Sequence, residues 1–203
     1  MRFLSFVAAA GYMTFSLTLK AQEVAPTSAD GPFGFAMGMT RDDVEKLAGP
    51  LKDAPNSAQG LIMVSRAPKP NESFRSFSLL IGEKAGLCKI VAIGQNVDTS
   101  PQGTELNHEF DRQKAQLKAL YGKSHDYDLL SAGSILKEHQ QWMQALLKRE
   151  RSLFSVWNAK EGSTLKNSVN GVLLQARAAT TSTGYMVLSY ELDNYSDCSK
   201  SEQ

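Results

Sequence analysis

Residues 73–93 read SFRSFSLLIGEKAGLCKIVAI, two apolar runs separated by a polar loop with a glycine at each end. In the first run Phe77, Leu79 and Ile81 occupy alternate positions, the period of a half-buried strand. Gly82-Glu83-Lys84-Ala85-Gly86 supplies a hairpin loop, and residues 87–93 return with Leu87, Val91 and Ile93 on the face of Lys89. A loop this short joins only antiparallel strands, since parallel neighbours need a crossover of about a dozen residues or more. The hairpin fixes the sheet type, and the flanking segments decide what covers it.

Upstream, residues 61–65 form a strand closed by Pro68-Lys69-Pro70, and residues 33–39 read as a short strand. Between them Thr40 caps a helix, with Asp43 at the third position as a short capping box. Val44 and Leu47 make its apolar side, and Gly49-Pro50 end it. Downstream, Thr104 caps a helix running to about Tyr121, with Leu106, Phe110, Leu117 and Tyr121 on one stripe and Gly122 as the stop. A second long helix is expected over 135–157, its stripe being Leu136, Met143, Leu146, Leu147, Leu153, Phe154 and Trp157. Two strands, 172–178 and 185–192, close the chain. The order β-α-β-β-β-α-α-β-β implies an α+β fold, a largely antiparallel sheet with helices packed on one face in two layers. No linker is long enough to divide residues 32–198, so they read as a single domain, between a flexible leader at 22–31 and a polar tail at 199–203.

The first 21 residues have another use. Arg2, an uncharged run over 3–19 and a small residue at Ala21 make a secretory signal peptide cleaved after Ala21, with retention as an anchor the alternative. The full chain carries 22 Lys+Arg against 21 Asp+Glu, a net +1. Cleavage removes Arg2 and Lys20 and leaves 182 residues at −1. That balance excludes a nucleic-acid binder, which needs a basic excess. Export also bears on the two cysteines. Cys88 lies in the return strand and Cys198 in the polar stretch after the last strand. In an oxidising compartment they are expected to bridge, with a buried free thiol as the alternative. A bridge would close a loop of about 110 residues, worth roughly 4–5 kcal/mol in the chain-entropy account.

The catalytic motifs are missing. There is no G-x-S-x-G nucleophile elbow and no glycine-rich phosphate loop. His108 and Asp111 stand at i and i+3 on the first long helix, and His125-Asp126-Tyr127-Asp128 follow it in a turn. If folding joined His108, Asp111, His125 and Asp128, they could hold the metal of a secreted hydrolase; the plainer reading is a solvated helix face and turn. His139 lacks a second histidine at i+4. Two surface features invite a partner. Trp142 sits at the edge of the second helix's apolar stripe, where a partly exposed indole would be an anchor and a Trp at the rim of the core is the plainer reading. Lys148, Arg149 and Arg151 form a basic turn, for an acidic partner or simply for the helix C-terminus.

Gly38-Met39-Thr40, Val44, Leu47 and Gly49-Pro50 together resemble the G-M-T-x-x-x-V-x-x-x-x-G-x-P motif of the β-lactamase-inhibitor-like superfamily, which includes small outer-membrane assembly lipoproteins. The resemblance implies an exported two-layer α/β module that binds other proteins and has no catalytic residues. This chain departs from that group in lacking a lipidation cysteine and in its expected extra helix at 135–157. The expectation is a periplasmic or secreted, non-enzymatic protein-binding module of a bacterial envelope, of inhibitor, immunity or assembly-factor type. Its partner would be another envelope or secreted protein, with no cofactor, no nucleic acid and no stable membrane insertion after cleavage. The alternatives are the metal-dependent hydrolase and a small-ligand-binding protein with its site between sheet and helices.

Overall fold

The computed structural model describes residues 30–53 and 61–200. The elements in chain order are α1 (Arg41–Ala48), β1 (Lys52–Asp53), β2 (Leu61–Val64), β3 (Phe74–Gly82), β4 (Gly86–Gly94) and β5 (Val97–Asp98). There follow α2 (Thr104–Tyr121), β6 (His125–Leu130), α3 (Trp142–Leu147), β7 (Arg151–Asn158), β8 (Val169–Ala178), β9 (Thr183–Leu192) and α4 (Tyr195–Lys200). The expected signal peptide, its cleavage point at Ala21, most of the leader and the end of the polar tail lie outside the described residues.

The hairpin forms where its sequence puts it, closed by the pair Gly82↔Gly86. All nine strands join one antiparallel sheet in the order β1-β2-β3-β4-β9-β8-β7-β6, with β5 on the end of β9. The α+β class and the largely antiparallel sheet are therefore what the structure has. Strand alternation then sorts side chains onto two faces. One row across the sheet is Ile62, Leu79, Ile90, Tyr190, Val172 and Trp157, and the next is Val64, Phe77, Ala92, Leu188 and Leu174. All are buried, and they form one core with Val44 and Ala48 of α1, Leu106, Phe110, Leu117 and Tyr121 of α2, and Trp142, Met143 and Leu146 of α3. A bulge between Leu80 and Ile81 shifts the register at the hairpin end. Leu87 thereby joins this core, rather than the face of Lys89, Val91 and Ile93 expected for it.

Four expectations differ, at residues 33–39, at the start of α2, over 135–157 and over 125–130. Residues 33–39 are not a strand: Pro32–Gly34 is a 3-10 turn, and Phe33, Gly34 and Gly38 have φ of 57°, 80° and 78°. The segment keeps two ladder-like bonds, Gly38 N–H to the Leu87 carbonyl (2.9 Å) and Leu87 N–H to the Met39 carbonyl (2.8 Å). Thr40 and Asp43 make the expected capping box on α1. At α2 the N-cap is Gly103, not Thr104. A Cβ there would stand 2.3 Å from the Trp142 ring, and φ is +73°, so glycine is required.

The second long helix is the main correction. Its first half is a short 3-10 turn leading into the six-residue α3, and its second half is the strand β7. Arg149 explains the break. It has φ 60°, its N–H bonds the Leu146 carbonyl, and the next N–H, of Glu150, bonds the Ala145 carbonyl. That is a Schellman motif with arginine in the left-handed position usually held by glycine. The following Leu153, Ser155 and Trp157 turn inward while Phe154 and Val156 turn outward. Residues 125–130, expected as part of a turn, are the edge strand β6 on β7.

α4 packs on the opposite face, at the hairpin corner. Cys88 and Cys198 are disulfide-bonded across a sequence separation of 110 and cluster with Leu80. The Asn194 side-chain amide donates to the Ala85 and Leu87 carbonyls, at 2.8 and 3.1 Å. Among the described residues no helix is long and apolar enough to cross a membrane.

Replacing both Cys88 and Cys198 by alanine is expected to lower stability by about 2–5 kcal/mol, read as a fall in the urea midpoint; an unchanged midpoint would deny the bridge that role. Two glycines with left-handed φ separate conformational strain from crowding. A Cβ on Gly86 would lie 2.2 Å from the Gly38 carbonyl, whereas one on Gly133 meets nothing. Gly133→Ala should cost about 1 kcal/mol and Gly86→Ala roughly 2–4. Equal losses would mean that residues 38–39 do not press on the hairpin.

Candidate functional site

The sheet face away from α1, α2 and α3 carries its own rows. Met63, Ser78, Val91, Ser189, Leu173, Val156 and His125 cross it in register. Beside them run Ser76, Ile93, Val187, Gln175, Phe154 and Tyr127. Every residue of the two rows is at least partly exposed. Tyr127 stacks on Phe154 with ring centroids 4.8 Å apart. Val91, Ile93, Val187, Leu173, Val156 and Phe154 thus form an apolar band across four strands. Among the described residues α4 lies on this side at one corner and the 159–161 turn at another, beside His125.

A third row runs Lys89, Glu191, Gly171 and Asn158. The missing side chain of Gly171 leaves a dent, the floor of a cleft of about 440 Å³ walled by Val156, Leu173, Ser189, Glu191, Lys89 and Lys160. The Lys89 ammonium donates to the Glu191 carboxylate at 2.9 Å and lies 4.8 Å from the centre of the Tyr195 ring. The cleft joins an apolar floor to a fixed ion pair, a combination that orients a bound group as well as burying it.

The sequence-derived candidates fall elsewhere. Trp142 is 5% exposed and belongs to the helix-side core, with the Arg151 guanidinium 5.6 Å over its ring. The exposed anchor expected there is absent because the indole packs on Gly103. The basic turn splits: Arg151 donates two hydrogen bonds of 2.7 Å to Asp128, while Lys148 and Arg149 are exposed. Arg149 lines a separate cleft with Arg177 and Tyr185, two residues that sequence reading did not connect to it.

The four candidate metal ligands do not converge. Asp111 pairs with Lys114 at 2.7 Å and Asp128 with Arg151. His108 is exposed on α2, and His125 faces Glu161, its Nε2 3.3 Å from that residue's carbonyl. Among the described residues no three His, Cys, Asp or Glu side chains gather as metal ligands would. The space between sheet and helices at Gln113, Leu117, Leu188 and Tyr190 is about 90 Å³. That is well below the roughly 300 Å³ at which small-molecule sites begin.

Two carboxylates hold strongly shifted titrations, both structural. Glu105 accepts the Ser100 N–H (2.7 Å) and the Thr99 hydroxyl (2.9 Å) at the start of α2, and backbone donors, Ser100 first, bring it down to about 2. For Asp126, burial opposes ionisation, but hydrogen bonds from Ser124, Ser155 and Lys118 and the Lys114 charge outweigh it and hold the group at about 2. Lys118 and Lys114 reach down from α2 at 3.1 and 3.7 Å, so Asp126 ties the edge strand to the helix.

Searches of protein-family models, curated proteins and solved structures find no match to this chain.

Because both carboxylates titrate lower folded than unfolded, their stabilisation is complete above the unfolded values of 4.5 and 3.8 and is lost as pH falls toward about 2. Stability measured by urea should therefore fall between about pH 4.5 and pH 2, and Glu105→Gln should flatten that fall while lowering stability at pH 7. An unaltered acid slope in the variant would refute the assignment.

Proposed function

We propose that this chain is an exported, non-enzymatic binding module of a bacterial envelope that meets a partner protein on the uncovered face of its sheet. The carrying observation is the apolar band of Val91, Ile93, Val187, Leu173, Val156 and Phe154 on the side left bare by α1, α2 and α3. A contiguous apolar patch on a soluble surface is most often an interaction site. The Gly171 dent adds a place for one inserted side chain, with the Lys89–Glu191 pair beside it, as interface anchors require.

The supporting facts are independent of one another. A disulfide between Cys88 and Cys198 suits an oxidising compartment. The near-zero net charge favours recognition by a local surface over long-range attraction to a polyanion. The resemblance of residues 38–50 to exported inhibitor and assembly modules points the same way. Small-ligand binding moves, as the second reading, from the tight helix side to the 440 Å³ cleft over Gly171, the better-sized space.

A photo-crosslinking residue at Leu173, compared with one at Ala115 on the exposed side of α2, tests the reading in cells that make the protein. A discrete protein adduct from position 173 and none from 115 is expected. Adducts from 115 alone, or from neither, would contradict it; a small ligand co-purifying with the wild type and lost on Gly171→Leu would favour the second reading.

A further inference from the structure

The β7–β8 ladder ends at Phe154↔Gln175, and beside that end lies an open cleft of about 320 Å³ lined by Leu146, Leu147, Arg149, Arg177, Tyr185 and Val187. Arg177 and Tyr185 are cross-strand neighbours. A third arginine reaches the same ring: the Arg75 guanidinium lies 5.7 Å from the Tyr185 centroid and donates to the Asn96 side chain. Among the described residues none of these three arginines has an acidic partner. Glu150, next to Arg149 in the chain, accepts the Ser134 hydroxyl at 2.6 Å, and Asp128 takes Arg151. In a chain of net charge +1, this is a local positive cluster without its counter-charge.

Arg149 adds an independent sign. It holds the left-handed position of a Schellman motif, with φ 60°, where glycine carries no strain. Residues kept in strained conformations cluster at binding and switch sites. Among the described residues the guanidinium makes no hydrogen bond, which leaves its donors open to a ligand in the cleft.

We infer that this cleft binds an acidic, partly apolar segment of a polypeptide. The arginines supply forked donors for carboxylates, and Leu146, Leu147 and Val187 supply apolar walls. Val187 also belongs to the apolar band, so the cleft continues the open face. An isolated inorganic anion would leave the apolar walls unused. The inference rests on the open face being the partner's surface and names the chemistry of one end of that partner.

The test titrates the purified full chain with a synthetic peptide of alternating glutamate and leucine, following the amide signals of Arg177 and Tyr185 and the side-chain Nε signal of Arg149. The alternating lysine–leucine peptide and inorganic phosphate are the comparison probes. The acidic peptide is expected to shift these signals, and Arg149→Gly and Arg177→Gln each to weaken it at least about tenfold. Arg149→Gly should at the same time raise Tm by about 2–4 °C, since it relieves strain; a fall in Tm would mean that the arginine serves the fold and would overturn the inference. So would equal shifts from the lysine peptide, equal affinity for phosphate, or no shift at all. If the Leu173 adduct persists undiminished in the Arg149→Gly, Arg177→Gln double variant, the binding face stands and this inference alone fails.

Discussion

Everything in this molecule depends on the ladder between β4 and β9. The chain makes two antiparallel runs, β1 to β4 and β6 to β9, and among the described residues the pairs from Lys89↔Glu191 to Ile93↔Val187, extended by the short β5 on β9, unite them. Without that seam there would be two small sheets, each too narrow to bury its inner face. With it, side-chain rows run unbroken from β2 to β7, and α2 lies over the join against Tyr190 and Leu188. Links on the other side hold the hairpin end of the seam: the Lys89–Glu191 ion pair, the Cys88–Cys198 disulfide and the Asn194 amide. A register slip of one residue would exchange the two faces entirely.

In the proposed reading, the seam also determines where the partner approaches. The described helices other than α4 cover one face, and on the other the described residues leave the apolar band at least partly exposed. The edges are guarded. β1 has two residues, and β6 turns Asp126 and Asp128 toward the helix side, charges that an added strand would disturb. A surface with blocked edges and a broad bare face favours face-on docking over strand addition. The apolar band, the Gly171 dent and the arginine cleft all lie along that face or at its end.

Much of this was legible in the sequence, and the rest was hidden for physical reasons. The hairpin, α1 with its Thr40–Asp43 box, the stripe of α2 and the last two strands follow from period and punctuation. The segment 135–157 misled because its stop signal is missing: Arg149 does what a glycine normally announces. The alternation in Leu153, Phe154, Ser155, Val156 and Trp157, rich in aromatic residues, was the available sign of β7. β6 looked like a turn because its inward positions are aspartates, acceptable only because Lys114, Lys118 and Arg151 arrive from other elements. The site was less legible still. Arg75, Arg149 and Arg177 are far apart in sequence, and only the sheet and the end of α3 bring them together.

The central claim is that, among the described residues, α1, α2 and α3 clothe one side of this sheet while the apolar band on the other side stays open to solvent. Methyl relaxation in the presence of a soluble nitroxide measures this directly in the isolated protein. The methyl groups of Val91, Ile93, Leu173 and Val187 should relax rapidly, while those of Leu79, Ile90, Leu174 and Leu188 stay protected. Equal protection of both sets would show that the second face is covered, and the account would fall with it.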